Sequence, residues 1–374
     1  MRLALVAGEA SGDLLAALML QGLKQQWPGL LSGGIGGPRM IEQGFDAWAP
    51  SERLSVFGYR DALLRLPQLL WLRRTTRGRI LRERPDVFVG VDAPDFNFGL
   101  ETALREQGLR TVHFVCPSIW AWRPQRVQRL RAAAHVLCLF PFEPGLLAAQ
   151  GVAASYVGHP LADAIPLDID HRAARRVLGL GDEPLVALLP GSRRSEIRHI
   201  APVLLATAQE LLRQRPGLHF VLPVAPGLSD LLQPLVQPLV HGGHLTLVSG
   251  RSHEALAGAD VALVASGTAT LEAALLRCPQ VIVYRLAAAD WQRMRRMRLQ
   301  PWVGLPNILS SAFIVPERIQ DEAQPQVVAA DALRWLDDPQ AVEVYRAQCR
   351  ALHQTLRQDT GARAAQVIKE LVGA

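Results

Sequence analysis

The chain has 374 residues, 49% of them apolar and 20% charged, which excludes wholesale disorder and exceeds what one hydrophobic core usually serves. Its net charge of +6 rests on arginine, since Lys24 and Lys369 are the only lysines among 40 basic residues, and arginine is the better planar fork for phosphate. Cys116, Cys138, Cys278 and Cys349 are scattered with no CxxC pair, which excludes a disulfide framework or zinc ribbon and fits a reducing cytosol.

The first apolar run, residues 3–7, predicts a strand, and residues 14–26 predict a helix. The run is too short for a signal-peptide core, and no later stretch reaches the ~18 apolar residues of a membrane span. Between strand and helix lies Gly8-Glu9-Ala10-Ser11-Gly12-Asp13. Ser11 and Asp13 can cap the helix, whereas Glu9 has no structural duty and marks a ligand loop. The glycine cluster Gly33-Gly34-Ile35-Gly36-Gly37 is not GxGxxG, so a dinucleotide fingerprint is not supported. Residues 62–72 are strongly apolar, interrupted by Arg65 and Pro67 and followed by Arg73, Arg74, Arg77, Arg79, Arg82 and Arg84. About eleven residues cannot span a bilayer of roughly 30 Å. The segment reads as a core helix with a basic end, or as an interfacial one. In the second case Leu69, Leu70 and Trp71 sit among acyl chains, with Arg73 and Arg74 at anionic headgroups.

Val87–Val91 predicts the next strand, and Gly90-Val91-Asp92-Ala93-Pro94-Asp95-Phe96-Asn97 follows it. Asp92 falls at the carboxyl edge of a sheet, where a general base belongs. A helix cap is its alternative duty, and Asp95 reads as a cap. Further strands are expected at 111–115 and 136–140, with a helix at 100–106. Strands alternating with helices imply βαβ units and a parallel sheet. The rhythm stalls around Gly158-His159-Pro160-Leu161-Ala162-Asp163 and restarts at Leu185–Leu189, 220–222, 245–248, Val261–Ala265 and 281–284. The fold class is therefore α/β, with two doubly wound domains joined near residues 160–172. The tail, residues 341–372, reads as helical throughout.

Two loops of the second half suit an anion. Pro190-Gly191-Ser192-Arg193-Arg194-Ser195-Glu196 follows a strand and opens a helix, whose N-terminus offers free N–H groups while Arg193 adds a charged fork. Capping by Ser192 or Ser195 is the alternative, and no Walker A loop is present. Ser266-Gly267-Thr268-Ala269-Thr270-Leu271-Glu272 repeats the arrangement. Small residues admit a ligand to the backbone, Thr268 and Thr270 can donate to phosphate, and Glu272 can accept from ribose hydroxyls, with a capping box as the alternative. Two such loops in one domain favour a nucleotide diphosphate site. Asp168 and Asp170 match a metal-binding DxD superficially, but Asp170 precedes a helical run and reads as an N-cap. No metal-ligand cluster and no GxSxG elbow occur, which leaves metal-free, non-covalent chemistry with no cofactor.

Together these segments resemble the lipid-A-disaccharide synthase family. The resemblance also includes Gly37-Pro38-Arg39-Met40, Pro117-Ser118-Ile119-Trp120-Ala121-Trp122-Arg123 and Leu305-Pro306-Asn307, and it runs in order over almost the whole chain. It implies a GT-B architecture of two Rossmann-like domains facing a cleft, with a final helix crossing back to the first domain. The implied boundaries are 1–164 for the acceptor and membrane-facing domain, 165–345 for the UDP-sugar domain and 346–374 for the tail. It implies inverting transfer of 2,3-diacylglucosamine from its UDP derivative to 2,3-diacylglucosamine 1-phosphate, giving a β-1,6-linked disaccharide 1-phosphate and UDP. Asp92 is then the base, with Glu9 next in line. Ser192, Arg193, Ser266, Gly267, Thr268, Thr270, Glu272 and Asn307 hold the donor, and Ser11 faces the acceptor. The implied place of work is the cytoplasmic face of the inner membrane, on an anionic surface, with a homo-oligomer open. Two other classes remain: another GT-B enzyme acting on a UDP-sugar, such as an epimerase or a transferase with a soluble acceptor, and a basic nucleic-acid-binding protein. The last lacks helix-turn-helix spacing, RNP-type aromatics and zinc ligands, so no nucleic-acid partner is expected.

Overall fold

Strands that are covered on both faces read as unbroken apolar runs, and VFVGV and LVALL are fully buried runs of that kind. The computed structural model describes residues 1–54, 58–121, 124–297 and 299–373, with the backbone alone at residues 9, 58–65, 124, 289 and 293. The chain forms two units, Met1–Ala164 with Thr355–Ala374, and Ile165–Gln354.

The first unit holds seven strands: β1 (Arg2–Ala7), β2 (Leu31–Gly36), β3 (Asp46–Pro50), β4 (Val87–Val91), β5 (Thr111–Phe114), β6 (His135–Cys138) and β7 (Ala154–Tyr156). They form one sheet in the order β3-β2-β1-β4-β5-β6-β7, and every pairing is parallel. The second unit holds β8 (Leu185–Leu189), β9 (His219–Val224), β10 (Leu245–Ser249), β11 (Val261–Ala265), β12 (Gln280–Tyr284) and β13 (Glu317–Ile319). Their order is β10-β9-β8-β11-β12-β13, again parallel. In each sheet the winding reverses beside the first strand, between β1 and β4 and between β8 and β11. Ligands of open α/β sheets bind beyond the carboxyl ends of the strands at that point.

Five strands depart from the sequence expectation. β2 is the glycine cluster itself, a strand because nothing larger fits there: a Cβ on Gly34 (φ +146) would lie 1.9 Å from the Leu5 carbonyl oxygen. β3, β7 and β13 have three to five residues each and were too short to show a period. β5 stops at Phe114 because Val115 turns left-handed, at φ +79. The apolar segment belongs to one long helix, Gly58–Glu83, that runs through Pro67.

The tail is two helices, Pro339–Leu356 and Thr360–Gly373, parted at Asp359 with φ +55. The second crosses back to the first unit, which the chain re-enters at Thr355. There Asp163 accepts the N–H groups of Gln358, Asp359 and Thr360 at 3.0, 2.9 and 2.6 Å, capping the final helix. Gly361 packs against Gly22 of the helix Glu9–Gln26, so closely that a Cβ on Gly22 would lie 2.4 Å from the Gly361 Cα.

Candidate active site

In the first unit, β1 pairs with β4 through Ala7 and Val91, which brings the loops after them side by side. Gly8 is required by that approach, since a Cβ on it would lie 3.1 Å from the Ala93 Cβ. Glu9 opens the helix Glu9–Gln26, and its side chain lies outside the described residues. Ser11 is half-buried in the first turn. Asp13 does not cap its own helix, contrary to expectation. Its buried carboxylate accepts the N–H groups of Gly37, Arg39 and Met40 at 2.8, 3.1 and 3.2 Å, so it caps the helix Pro38–Glu42 instead.

Asp92 is half-buried at φ +47, and its N–H donates to the Phe114 carbonyl at 2.9 Å. The N-cap of the helix Pro94–Arg105 is Ala93, also left-handed at φ 43. Asp95 is not a cap either, because its carboxylate pairs with Arg126 at 2.7 Å. Further along the sheet edge, Trp120 Nε1 donates to Glu143 at 3.0 Å, and burial pushes the Glu143 carboxyl up to about 7. Trp122 and Arg123 lie outside the described residues.

On the helix Gly58–Glu83 the residues proposed for a membrane part company. Leu66, Leu70 and Trp71 are exposed at 47, 46 and 62%, and Trp71, Arg74, Thr75, Gly78 and Arg82 line an open hollow of about 650 Å³. Leu69 instead packs inward against the core of Ala4, Val6, Phe88 and Leu100. Arg73 lies over Gly99, where a Cβ would come within 2.4 Å of its Nη1. Both corrections follow from helical phase, which sets these two positions, four residues apart, on the packed face of the helix.

In the second unit, the loop after β8 is closed by Glu196. Its Oε2 accepts from the N–H groups of Ser192 and Arg193 at 2.9 and 3.2 Å, and its Oε1 takes Arg193 Nη1 at 3.2 Å. Glu196, rather than Ser192 or Ser195, therefore satisfies this helix start. Gly191, at φ +110, is the only residue type that fits, because a Cβ would sit 2.4 Å from Glu196 Oε2. Ser192 and Arg193 remain exposed at the carboxyl end of β8.

The loop after β11 opens the helix Thr268–Leu275 through Gly267 at φ +155. The Thr270 N–H donates to the Gly267 carbonyl at 3.1 Å, and the earlier N–H groups of a first helical turn have no intrahelical partner, which suits this helix start to receiving an anion. Thr268 is half-buried there. Thr270 is not: it is fully buried and its hydroxyl donates to the Gly267 carbonyl at 2.8 Å, so it shapes the loop rather than reaching a ligand. Asn307 needs the same correction. It is fully buried, with Nδ2 donating to Val315 O and Glu317 Oε1 at 2.9 and 2.8 Å and Oδ1 accepting from Ile314 and Val315 at 2.7 and 2.9 Å. Glu317 also accepts the N–H groups of Val303 and Gly304, while Ser266 Oγ donates to the Val303 carbonyl at 3.2 Å. Asn307 and Glu317 thus clamp the segment on which Ser266 rests. Glu272, little exposed, pairs with His253 Nε2 at 3.0 Å. Asp170 caps the helix His171–Leu178 through the Ala173 N–H, and Asp168 pairs with Arg350 at 2.7 Å.

Sequence reasoning gave no role to Asn97, Glu196, His253 or Glu317. Glu196 had a signal, standing three residues beyond the N-cap as in a capping box. Glu317 and His253 had none, because their partners lie 10 and 19 residues away.

The family described as Lipid-A-disaccharide synthetase matches residues 3–371. A "Lipid-A-disaccharide synthase" from Albidiferax ferrireducens is 49% identical over 379 residues, covering 100% of this chain and 97% of the relative. Among solved structures, a putative UDP-N-acetylglucosamine 2-epimerase from Listeria monocytogenes superposes with a TM-score of 0.68 at 13% identity, covering 100% of this chain and 96% of that one. MurG of Acinetobacter baumannii gives 0.58 at 14%, covering 99% of each chain.

Proposed function

The chain belongs to the lipid-A-disaccharide synthetase family, and on that footing we propose how its two units share the work of a GT-B glycosyltransferase of lipid A disaccharide synthesis. The donor is UDP-2,3-diacylglucosamine and the acceptor 2,3-diacylglucosamine 1-phosphate. The acceptor's 6-hydroxyl attacks the anomeric carbon as the bond to UDP breaks, in one displacement that inverts configuration. A sugar hydroxyl is a poor nucleophile near neutral pH, so Asp92 takes its proton; base catalysis of this kind contributes about 10²–10⁴-fold. Glu9 is the next candidate.

Charge gathers on the leaving diphosphate. The first turn at Gly267 and Thr268 and the guanidinium of Arg193 receive it, and preorganised donors at developing charge are a large catalytic term. Glu272, held by His253, accepts from the ribose. Thr270, Asn307 and Glu317 serve this half indirectly, by holding the loop. The observation that carries the reading is the family match over residues 3–371. The epimerase likeness, at 13% identity, bears on the fold alone. Incubation of purified protein with both diacyl substrates tests it: UDP and disaccharide should appear together, and UDP release without disaccharide would refute the acceptor.

No helix among the described residues is long and apolar enough to cross a membrane. An acceptor with two acyl chains resides in a bilayer, and the enzyme reaches it from the cytoplasmic face. Exposed Leu66, Leu70 and Trp71 beside Arg74 and Arg82 support docking there on an anionic surface. Serine at Leu66, Leu70 and Trp71 should weaken salt-sensitive binding to anionic vesicles and raise the acceptor KM, with donor KM unchanged. Equal vesicle binding by the triple variant would move the docking face elsewhere.

A further inference from the structure

One buried amide of the first unit does more than the packing of a core requires. Asn97 is fully buried, and its Nδ2 donates to three backbone carbonyls: Asp92 at 2.8 Å, Val6 at 3.2 Å and Val91 at 3.3 Å. The Asp92 carbonyl opens the turn after β4, the Val91 carbonyl ends β4, and the Val6 carbonyl is one residue short of the end of β1. Two N–H bonds shared among three acceptors fix the amide's orientation, since reversal would set its oxygen against three others. Room is made for it: a Cβ on Gly90 would lie 3.0 Å from the Asn97 Cβ and 2.2 Å from Glu101 Oε1. One helical turn on, buried Glu101 pairs with buried His113 at 2.7 Å, continuing a polar row through an apolar layer.

The turn itself is strained. Asp92 and Ala93 stand at φ 47 and 43, consecutive left-handed residues that both carry a Cβ. That conformation is costly for any residue with a Cβ and persists only where the surroundings over-determine it. The Ala93 carbonyl accepts from Phe96 and Asn97, each at 3.0 Å, so the helix start holds one side of the turn. The Asn97 side chain holds the other, through the Asp92 carbonyl.

We propose that Asn97 is a positioning residue for the transfer: it locks the Asp92–Ala93 turn in its left-handed form and so fixes where the Asp92 carboxylate stands. The inference rests on the reading of Asp92 as base. Misplacement of a reacting group by about 1 Å can cost 10²-fold, so loss of the lock is felt in turnover rather than in donor binding.

Steady-state kinetics on Asn97→Ala, Ala93→Gly, Asp92→Asn and the double variant Asn97→Ala/Asp92→Asn test it, with melting temperatures measured alongside. Asn97→Ala should lower kcat roughly ten- to a hundred-fold, leaving the donor KM unchanged. The double variant should be no slower than Asp92→Asn alone, because a positioning residue has nothing left to position. Ala93→Gly keeps the fold even if Asn97→Ala does not, because glycine adopts this conformation without strain. It should hold or raise the melting temperature while lowering kcat. If the two losses multiply in the double variant, Asn97 acts by packing and the proposal fails. Wild-type turnover in Asn97→Ala and Ala93→Gly beside an inactive Asp92→Asn sinks the proposal and spares the base. Wild-type turnover in Asp92→Asn removes the base itself.

Discussion

The turn after β4 and the turn after β11 occupy the same place in their sheets and are built on opposite physics. The first is stiff: two left-handed residues with side chains, fastened from beneath by a buried amide. The second is spare, with Gly267 in a conformation only glycine adopts easily and open space where a Cβ would be. A carboxylate that must meet one proton at one place needs the former. A diphosphate, which is gripped by backbone N–H groups, needs the latter.

The contrast breaks first at Asp92. Asp92→Asn should lower kcat by about 10² or more while the donor KM hardly moves, because proton acceptance alone is removed; steady-state kinetics with both substrates varied decides it. Gly267→Ala should do the reverse. A Cβ there meets nothing, so the cost is conformational, roughly 1–3 kcal/mol, and should appear as weaker UDP binding by calorimetry. Arg193→Ala comes next, with about a tenfold loss in UDP affinity, the lower end for a charge-assisted contact because the side chain is half exposed beside Glu196. Unchanged affinity would reduce the loop to a helix cap.

The last test sharpens the comparison by pH, and it reads stability instead of turnover or affinity. Burial lifts the Glu143 carboxyl from 4.5 to about 7. A carboxyl raised on folding binds its proton more tightly in the folded state, so stability falls as pH rises between those values. At ~1.4 kcal/mol per pH unit the window amounts to about 3 kcal/mol. Glu143→Gln should flatten that slope in urea unfolding measured from pH 4.5 to 7. A slope left intact would place the titration on another group.

What the sequence disclosed was what local spacing can encode. The central strands and the loops after β1, β4, β8 and β11 stood out because apolar runs and glycine-rich turns are read within ten residues. β2 did not, because its glycines answer to Leu5 of the neighbouring strand. Thr270 looked like a ligand contact because a polar residue in a loop shows no sign of where its bonds go, and Asn307 was placed at the donor by resemblance alone. Leu69 and Arg73 looked like partners of Leu70 and Trp71 until helical phase set them on the inner face. The buried clamps, Asn97 and Glu317, are polar residues whose purpose lies in partners that chain proximity does not reveal.

The return of the final helix to the first unit bears on synthesis. Residues 1–164 leave the ribosome with Gly22 bare and Asp163 without the N–H groups it caps, and 190 residues, 165 to 354, must be made before Thr355 emerges. At roughly 5–20 residues per second that interval is on the order of 10–40 s. Throughout it the second unit can fold on its own contiguous sequence while the first waits, its sheet formed but one helical face uncovered. A nascent chain arrested after residue 354 should therefore expose that face to a chaperone, and one arrested well past residue 374 should not.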